Sequence, residues 1–248
     1  MRVQEIEIKT ALVRSRIPGV DFVINPYLGC SHGCRYCYAT FMRKYSHHNQ
    51  GTPWGEFVEV KTNIVDVLRS ELQRKRRPGH AHLSSVCDPY QPVERHYRLT
   101  RRCLELLRDF GWEVDVLTRS SLVTRDIDVL TACSEVLVGL SVPTDDERVR
   151  RILEPRSTSI ATRLTTLRRL REAGLSTWVF IAPVLPMNPE RLHALVSPWV
   201  DFVMIDPLNY PGQVAALFRA HGWGEALTST YAGRTREKLE RLFGPQLR

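Results

Sequence analysis

The chain has 248 residues, 43% of them hydrophobic, which is enough to bury a real core and excludes a disordered chain. Its 35 Lys and Arg against 27 Asp and Glu leave a formal charge of +8, which suits a polyanionic partner such as nucleic acid but equally an ordinary basic solvent face. No stretch reaches the ~18 apolar residues of a membrane helix, and MRVQEIEIKTALVR at the N-terminus lacks an apolar signal core, so a cytoplasmic protein is expected.

Residues 1–20 read as a basic, irregular lead-in, and 21–27 (DFVINPY) as a short strand ending at Pro26. A cysteine-bearing loop follows, then a polar stretch over 40–55, part helix and part loop, and an extended segment at 57–61 (FVEVK). Ile64, Val67, Leu68 and Leu72 sit at helical spacing, in a helix running into Arg74–Arg77 and stopped by Pro78-Gly79. Residues 81–87 (AHLSSVC) read as a strand. Leu99, Cys103, Leu106, Leu107 and Phe110 mark a helix, 112–118 (WEVDVLT) a strand, 127–132 a helix and 135–142 (EVLVGLSV) a strand. A helix over 160–173 stops at Gly174, a strand follows at 176–184, and Asn188-Pro189 starts another helix as cap and first residue. A strand at 200–206 and two short helices complete the pattern. Near-continuous apolar strands alternating with helices predict a parallel sheet with outer helices, a partial (β/α)6-type TIM-like barrel. With no repeat, linker or low-complexity tract, a single domain over 1–248 is expected, with 210–248 as a C-terminal helical extension.

Three of the six cysteines fall in Cys30-Ser31-His32-Gly33-Cys34-Arg35-Tyr36-Cys37, a C-x3-C-x2-C spacing. Clustered cysteines in a cytosolic chain point to a metal or to catalysis rather than to disulfides. Three close thiolates suit an iron–sulfur cluster, and a four-iron cluster with three protein thiolates keeps one iron open for a ligand. Gly29 and Gly33 let the backbone wrap closely. Two other readings compete: a zinc site completed by His32, His47 or His48, and an electron-transfer cluster, which normally has four cysteines.

The cysteine segment resembles the radical S-adenosylmethionine superfamily, whose signature is this spacing with an aromatic before the last cysteine. Residues 25–39 (NPYLGCSHGCRYCYA), with Cys87-Asp88-Pro89-Tyr90-Gln91-Pro92, Leu117-Thr118-Arg119-Ser120 and Glu154-Pro155-Arg156, resemble its spore photoproduct lyase and DNA-repair-photolyase-like branch. The resemblance implies a [4Fe–4S] cluster on Cys30, Cys34 and Cys37, with S-adenosylmethionine on the fourth iron cleaved to a 5′-deoxyadenosyl radical that takes a hydrogen from substrate. It implies that Tyr36 contacts the adenine, that Arg119 and Ser141 hold the ribose or the methionyl carboxylate, and that Tyr38 relays a hydrogen atom. An external electron donor such as flavodoxin or ferredoxin, a DNA or other nucleic-acid substrate, and a monomer without a membrane are expected. The alternatives are a small-molecule or peptide substrate for the same chemistry, and a non-catalytic iron–sulfur or zinc protein that binds nucleic acid.

The polar groups at strand ends, where a barrel places its chemistry, are Ser84, Ser85, Cys87 and Asp88, then Thr118 and Arg119, then Ser141. Ser85, a cofactor-site candidate, stands where spore photoproduct lyases carry a hydrogen-donating cysteine. A serine O–H is too strong a bond for easy hydrogen donation, so Cys87 is the candidate donor; strand alternation would set it on the same face as Ser85. Glu154 and Arg156 read as a local salt bridge, Cys103 and Cys133 as structural, His47-His48 as a solvated loop, and Arg74–Arg77, Arg98, Arg101 and Arg102 as solvated faces of outer helices able to touch a phosphate backbone.

Overall fold

The structure is a computed structural model describing residues 1–248. The chain opens with β1 (Arg2–Ile6) and β2 (Val13–Arg14), then β3 (Phe22–Ile24), β4 (Tyr27–Leu28), a 3₁₀ segment (Tyr38–Tyr45) and β5 (Phe57–Lys61). It continues through α1 (Ile64–Gln73), β6 (His80–Leu83), α2 (Glu94–Tyr97), α3 (Leu99–Asp109), β7 (Glu113–Thr118) and α4 (Ile127–Leu130). β8 (Val136–Ser141), α5 (Glu147–Leu153), α6 (Ile160–Glu172), β9 (Ser176–Ile181), α7 (Pro189–Val196), β10 (Phe202–Ile205), α8 (Ala215–Ala220) and α9 (Ser229–Phe243) complete it.

The main sheet runs β10-β9-β8-β7-β6-β3-β2. β3, β6, β7, β8, β9 and β10 are mutually parallel and β2 is an antiparallel edge. This is the partial (β/α)6 barrel, with the six C-terminal strand ends at one mouth. Strand alternation divides its two faces. Val114, Val116, Val138, Leu140, Val179, Ile181 and Val203 join Leu104, Leu107 and Leu167 of the helices in the main core. The intervening residues face inward: His82 pairs with Asp115, Nδ1 to Oδ2 2.8 Å, and Trp178 stacks on Phe202 with centroids 5.6 Å apart.

Several elements depart from the sequence reading. The lead-in is not irregular: β1 pairs in parallel with β5 in a second sheet, order β1-β5-β4, and β2 pairs with β3. Backbone pairing to distant strands, not composition, orders it. The strand expected over 21–27 is split, because Pro26 has no N–H for a ladder and the chain passes from β3 to β4, in the other sheet. The strand expected over 81–87 ends at Leu83, because Ser84 takes a left-handed φ of 69°. The alternation that set Ser85 and Cys87 on one face therefore does not apply. α1 ends at Gln73, so Arg74–Arg77 lies beyond the helix. The short α2 and α5 lacked enough periodicity to be read, and α9, at 15 residues, is not short.

β8 is held closely against its neighbour at Gly139, which pairs with Trp178. A Cβ there would lie 2.3 Å from Trp178 Cε2, and the Trp178 ring, stacked on Phe202, has little room to yield. Gly139→Ala is expected to destabilise the fold by about 1–3 kcal/mol in urea denaturation, the cost of overpacking. Gly233→Ala, in the open interior of α9, is expected to stabilise it by about 0.5–1 kcal/mol. A neutral Gly139→Ala would contradict this packing.

Candidate active site

The loop carrying Cys30, Cys34 and Cys37 leaves β4 above the C-terminal end of β3. Gly29 and Gly33 have φ of 87° and 61°, and a side chain on either would strike Phe57 O or Arg156 Nη2, each at 2.4 Å. Glycine is thus required twice within the turn that presents the thiols. Cys30 and Cys34 are buried and Cys37 is half-buried. Burial pushes the thiols up, that of Cys34 to about 12 against the pull of Arg119, so the metal-free thiols keep their protons and a bound metal would displace them. No three His, Cys, Asp or Glu side chains converge on the volume of a single ion.

The turn after β6 clamps this loop. Gln91 spans it, its Nε2 donating to Gly29 O at 3.2 Å and its Oε1 accepting from Ser31 N at 2.9 Å. Asp88 accepts from Thr118 Oγ1 at 2.6 Å, Arg119 N at 2.9 Å and Tyr90 N at 2.9 Å, and lies 3.4 Å from His32 Nε2. Burial alone would raise its pKa; His32, Thr118 and the Arg119 amide outweigh it and hold the group at about 2. His32 reaches the other way to Arg156 O, at 3.2 Å.

Arg119, just past β7, places Nη1 2.9 Å from Cys34 Sγ, 3.0 Å from Tyr36 OH and 2.7 Å from Glu154 Oε1. Glu154 is fully buried, accepts from Tyr36 OH and pairs also with Arg163, whose Nη1 donates to Ser141 O at 2.8 Å. Burial opposes the charge of Glu154, yet Arg163 and Arg119 hold it at about 2. Both carboxylates are ionised near neutrality. The stability they add is present above their unfolded values near ~4 and is lost only as pH falls towards 2.

The sequence candidates therefore fall into two groups. Tyr36, Arg119 and Cys34 form one bonded cluster, with Ser141 tied in through Arg163. Tyr38 and Ser85 form a second pair: Tyr38 is half-exposed and its hydroxyl donates to Ser85 O. Cys87 packs partly on the main core, with Sγ 4.0 Å from Asn25 Oδ1. Glu154 and Arg156 do not pair with each other: Arg156 Nη2 donates to Gly55 O at 2.6 Å, because the α5 terminus aims the two side chains at different loops. Arg101 is committed to Glu105, Asp126 and Asp128. Cys103 is core, Cys133 donates to Val129 O, and His47 and His48 are exposed. The sequence reading missed Gln91, His32 and Arg163 as site organisers. The Gln91 signal was present inside the Cys87–Pro92 motif, two residues after Pro89.

Comparison with known proteins locates the chain. The model of the Radical SAM superfamily matches residues 24–197. An uncharacterized protein of Methanocaldococcus jannaschii is 34% identical over 207 residues, 83% of this chain and 77% of that one. The radical SAM Nalpha-GlyT isomerase of Pseudomonas phage M6 is 28% identical over 163 residues, 65% of this chain and 32% of that protein. Among solved structures, spore photoproduct lyase complexed with dinucleoside spore photoproduct matches with a TM-score of 0.70 at 13% identity, over 99% of this chain and 80% of that one, a likeness of fold. No helix is long and apolar enough to cross a membrane. With the family model covering most of its length and the cysteine loop at the barrel mouth, the chain belongs to the radical S-adenosylmethionine superfamily, whose enzymes use a [4Fe–4S] cluster and S-adenosylmethionine.

Proposed function

We propose that the chain is a radical enzyme acting on nucleic acid, with a modified or damaged pyrimidine as the reacting group, and that Cys30, Cys34 and Cys37 hold its cluster. The observation that carries the substrate class is the fold likeness to spore photoproduct lyase along 99% of the chain. The +8 charge supports it. The donor set fits the cluster: three thiols on a glycine-shaped loop, with a fixed cation beside one of them.

When bound, the cluster and S-adenosylmethionine supply a 5′-deoxyadenosyl radical; the chain's own residues position and contain it. Gln91 and Asp88 fix the loop that presents the thiols. Arg119 would offset thiolate charge at Cys34 through Nη1, 2.9 Å from the sulfur, and its guanidinium is the cation to which the methionyl carboxylate is assigned. Tyr36, Ser85 and Ser141 are the residues assigned to the nucleoside part of the cofactor. Two groups can return a hydrogen atom to the product. Burial pushes the Cys87 thiol up to about 11, so its sulfur carries hydrogen at neutral pH, and Tyr38 lies between the cysteine loop and Ser85. A one-electron donor of flavodoxin or ferredoxin type completes the cycle.

Two outcomes are expected. Anaerobically reconstituted protein holds about four irons per chain, and Cys30→Ala, Cys34→Ala and Cys37→Ala each lose them, by iron assay and visible absorption; stoichiometric zinc in a colourless protein would overturn the reading. Reduced protein given S-adenosylmethionine and lesion-bearing DNA forms 5′-deoxyadenosine together with altered bases, and Cys87→Ala keeps the cofactor cleavage while changing the base products. Unchanged products in Cys87→Ala would move the hydrogen-returning role to Tyr38.

A further inference from the structure

Exposed aromatic rings on this chain are concentrated at one place. The large aromatic side chains open to solvent are Tyr38 (49%), Phe41 (46%), Tyr45 (55%) and Tyr210 (50%). The first three lie on the 3₁₀ segment that leaves the cysteine loop; Tyr210 lies just beyond the end of β10, at the same mouth of the barrel. Tyr38, Phe41 and Tyr210 line one open groove of about 380 Å³, together with Arg43 and Trp54. Tyr38 and Phe41 form a tilted pair with centroids 6.5 Å apart. Burial does not explain these rings, since each leaves about half its surface in water, and single exposed apolar residues are normally scattered.

Arg43 is the charged residue of the groove's lining, and no acidic residue lines it. Between Asp21 and Glu56 the sequence contains no acidic residue, yet it contains Arg35, Arg43 and Lys44. All three are exposed and none forms an ion pair within the chain. Lys44 lies 5.0 Å from the centroid of the Tyr45 ring, so a cation and a ring face share one surface. Rings for stacking bases and unpaired cations for the backbone are the two components of a single-strand nucleic-acid site. A peptide would find backbone hydrogen-bonding edges or apolar pockets more useful than a row of half-exposed tyrosines beside free cations.

We infer that Phe41 and Tyr210 form a stacking platform for an unpaired nucleotide of a nucleic-acid strand, with Arg43 and Lys44 on its phosphates. This rests on the nucleic-acid reading above and makes it more specific: the strand is recognised unpaired, next to the cysteine loop. The groove volume is at the lower end of small-ligand sites and suits one base or nucleoside rather than a duplex. Phe41 and Tyr210 are not among the residues placed at the cofactor, so the platform can be removed without touching the cluster.

The test is binding of a fluorescein-labelled oligothymidylate, as a single strand and as a duplex with oligodeoxyadenylate, followed by anisotropy across a salt series. The single strand is expected to bind more tightly than the duplex. Phe41→Ala and Tyr210→Ala should each weaken single-strand binding by about tenfold, the loss of one stacked base. Phe41→Trp should restore it, with iron content and substrate-free cofactor cleavage unchanged throughout. Arg43→Ala and Lys44→Ala should each lower the salt slope by about 1. Single-strand affinity unchanged in both aromatic variants, or duplex bound as tightly as single strand, would overturn the platform while leaving the nucleic-acid reading in place. A wild-type protein that binds neither form at low salt would overturn both.

Discussion

Glu154 faces two guanidinium groups from opposite sides, Arg119 beyond β7 and Arg163 on α6, and accepts the Tyr36 hydroxyl as well. Each partner is tied to a different part of the mouth. Arg119 reaches Cys34 and the turn of Asp88; Arg163 holds the carbonyl of Ser141 at the end of β8. One buried carboxylate thus locks two strand ends to the cysteine loop. A buried ion pair is weak evidence of stability in itself, since desolvation offsets much of the attraction. Its worth here is positional: removing Glu154 would leave two guanidinium charges at the mouth without their buried counter-ion, a loss of about 3–5 kcal/mol when one partner of such a pair is removed.

Asp88 does for the other side of the loop what Glu154 does for this one. It gathers a threonine hydroxyl, two backbone amides and His32 around one carboxylate, and Gln91 three residues on clamps the loop backbone. The cysteine loop is therefore held at both flanks by side chains that carry no cluster-binding chemistry themselves. Outer contacts of this kind orient ligands and tune a centre's electronics. The Arg119 N–H, 2.9 Å from Cys34 Sγ, is such a contact.

Local periodicity made much of this legible. β5, β7, β8, α3 and α6 fall where alternating or helical spacing placed them, and Asn188 caps α7 by accepting from Arg191 N as its sequence context implied. The cysteine spacing pointed to the superfamily whose model matches the chain, because three thiols within eight residues leave few chemical options. What escaped was long-range or conformational. His32 meets Arg156 across 124 residues and Tyr36 meets Glu154 across 118, and no local pattern encodes either meeting. Ser84 ended β6 early by taking a left-handed conformation that serine rarely adopts, so nothing at that position announced it. Glu154 and Arg156 were read as partners because they are adjacent in sequence, whereas the end of α5 aims them apart.

The central claim is that the centre at the barrel mouth abstracts hydrogen from a nucleic-acid base. Isotope transfer tests it most directly. Reduced enzyme is given S-adenosylmethionine and ultraviolet-irradiated DNA whose thymidines are perdeuterated, and the 5′-deoxyadenosine formed is analysed by mass spectrometry. The account predicts deuterium in the 5′-deoxyadenosine, which can come only from the DNA. Product formed at the same rate with and without this DNA, and carrying no deuterium, would contradict it.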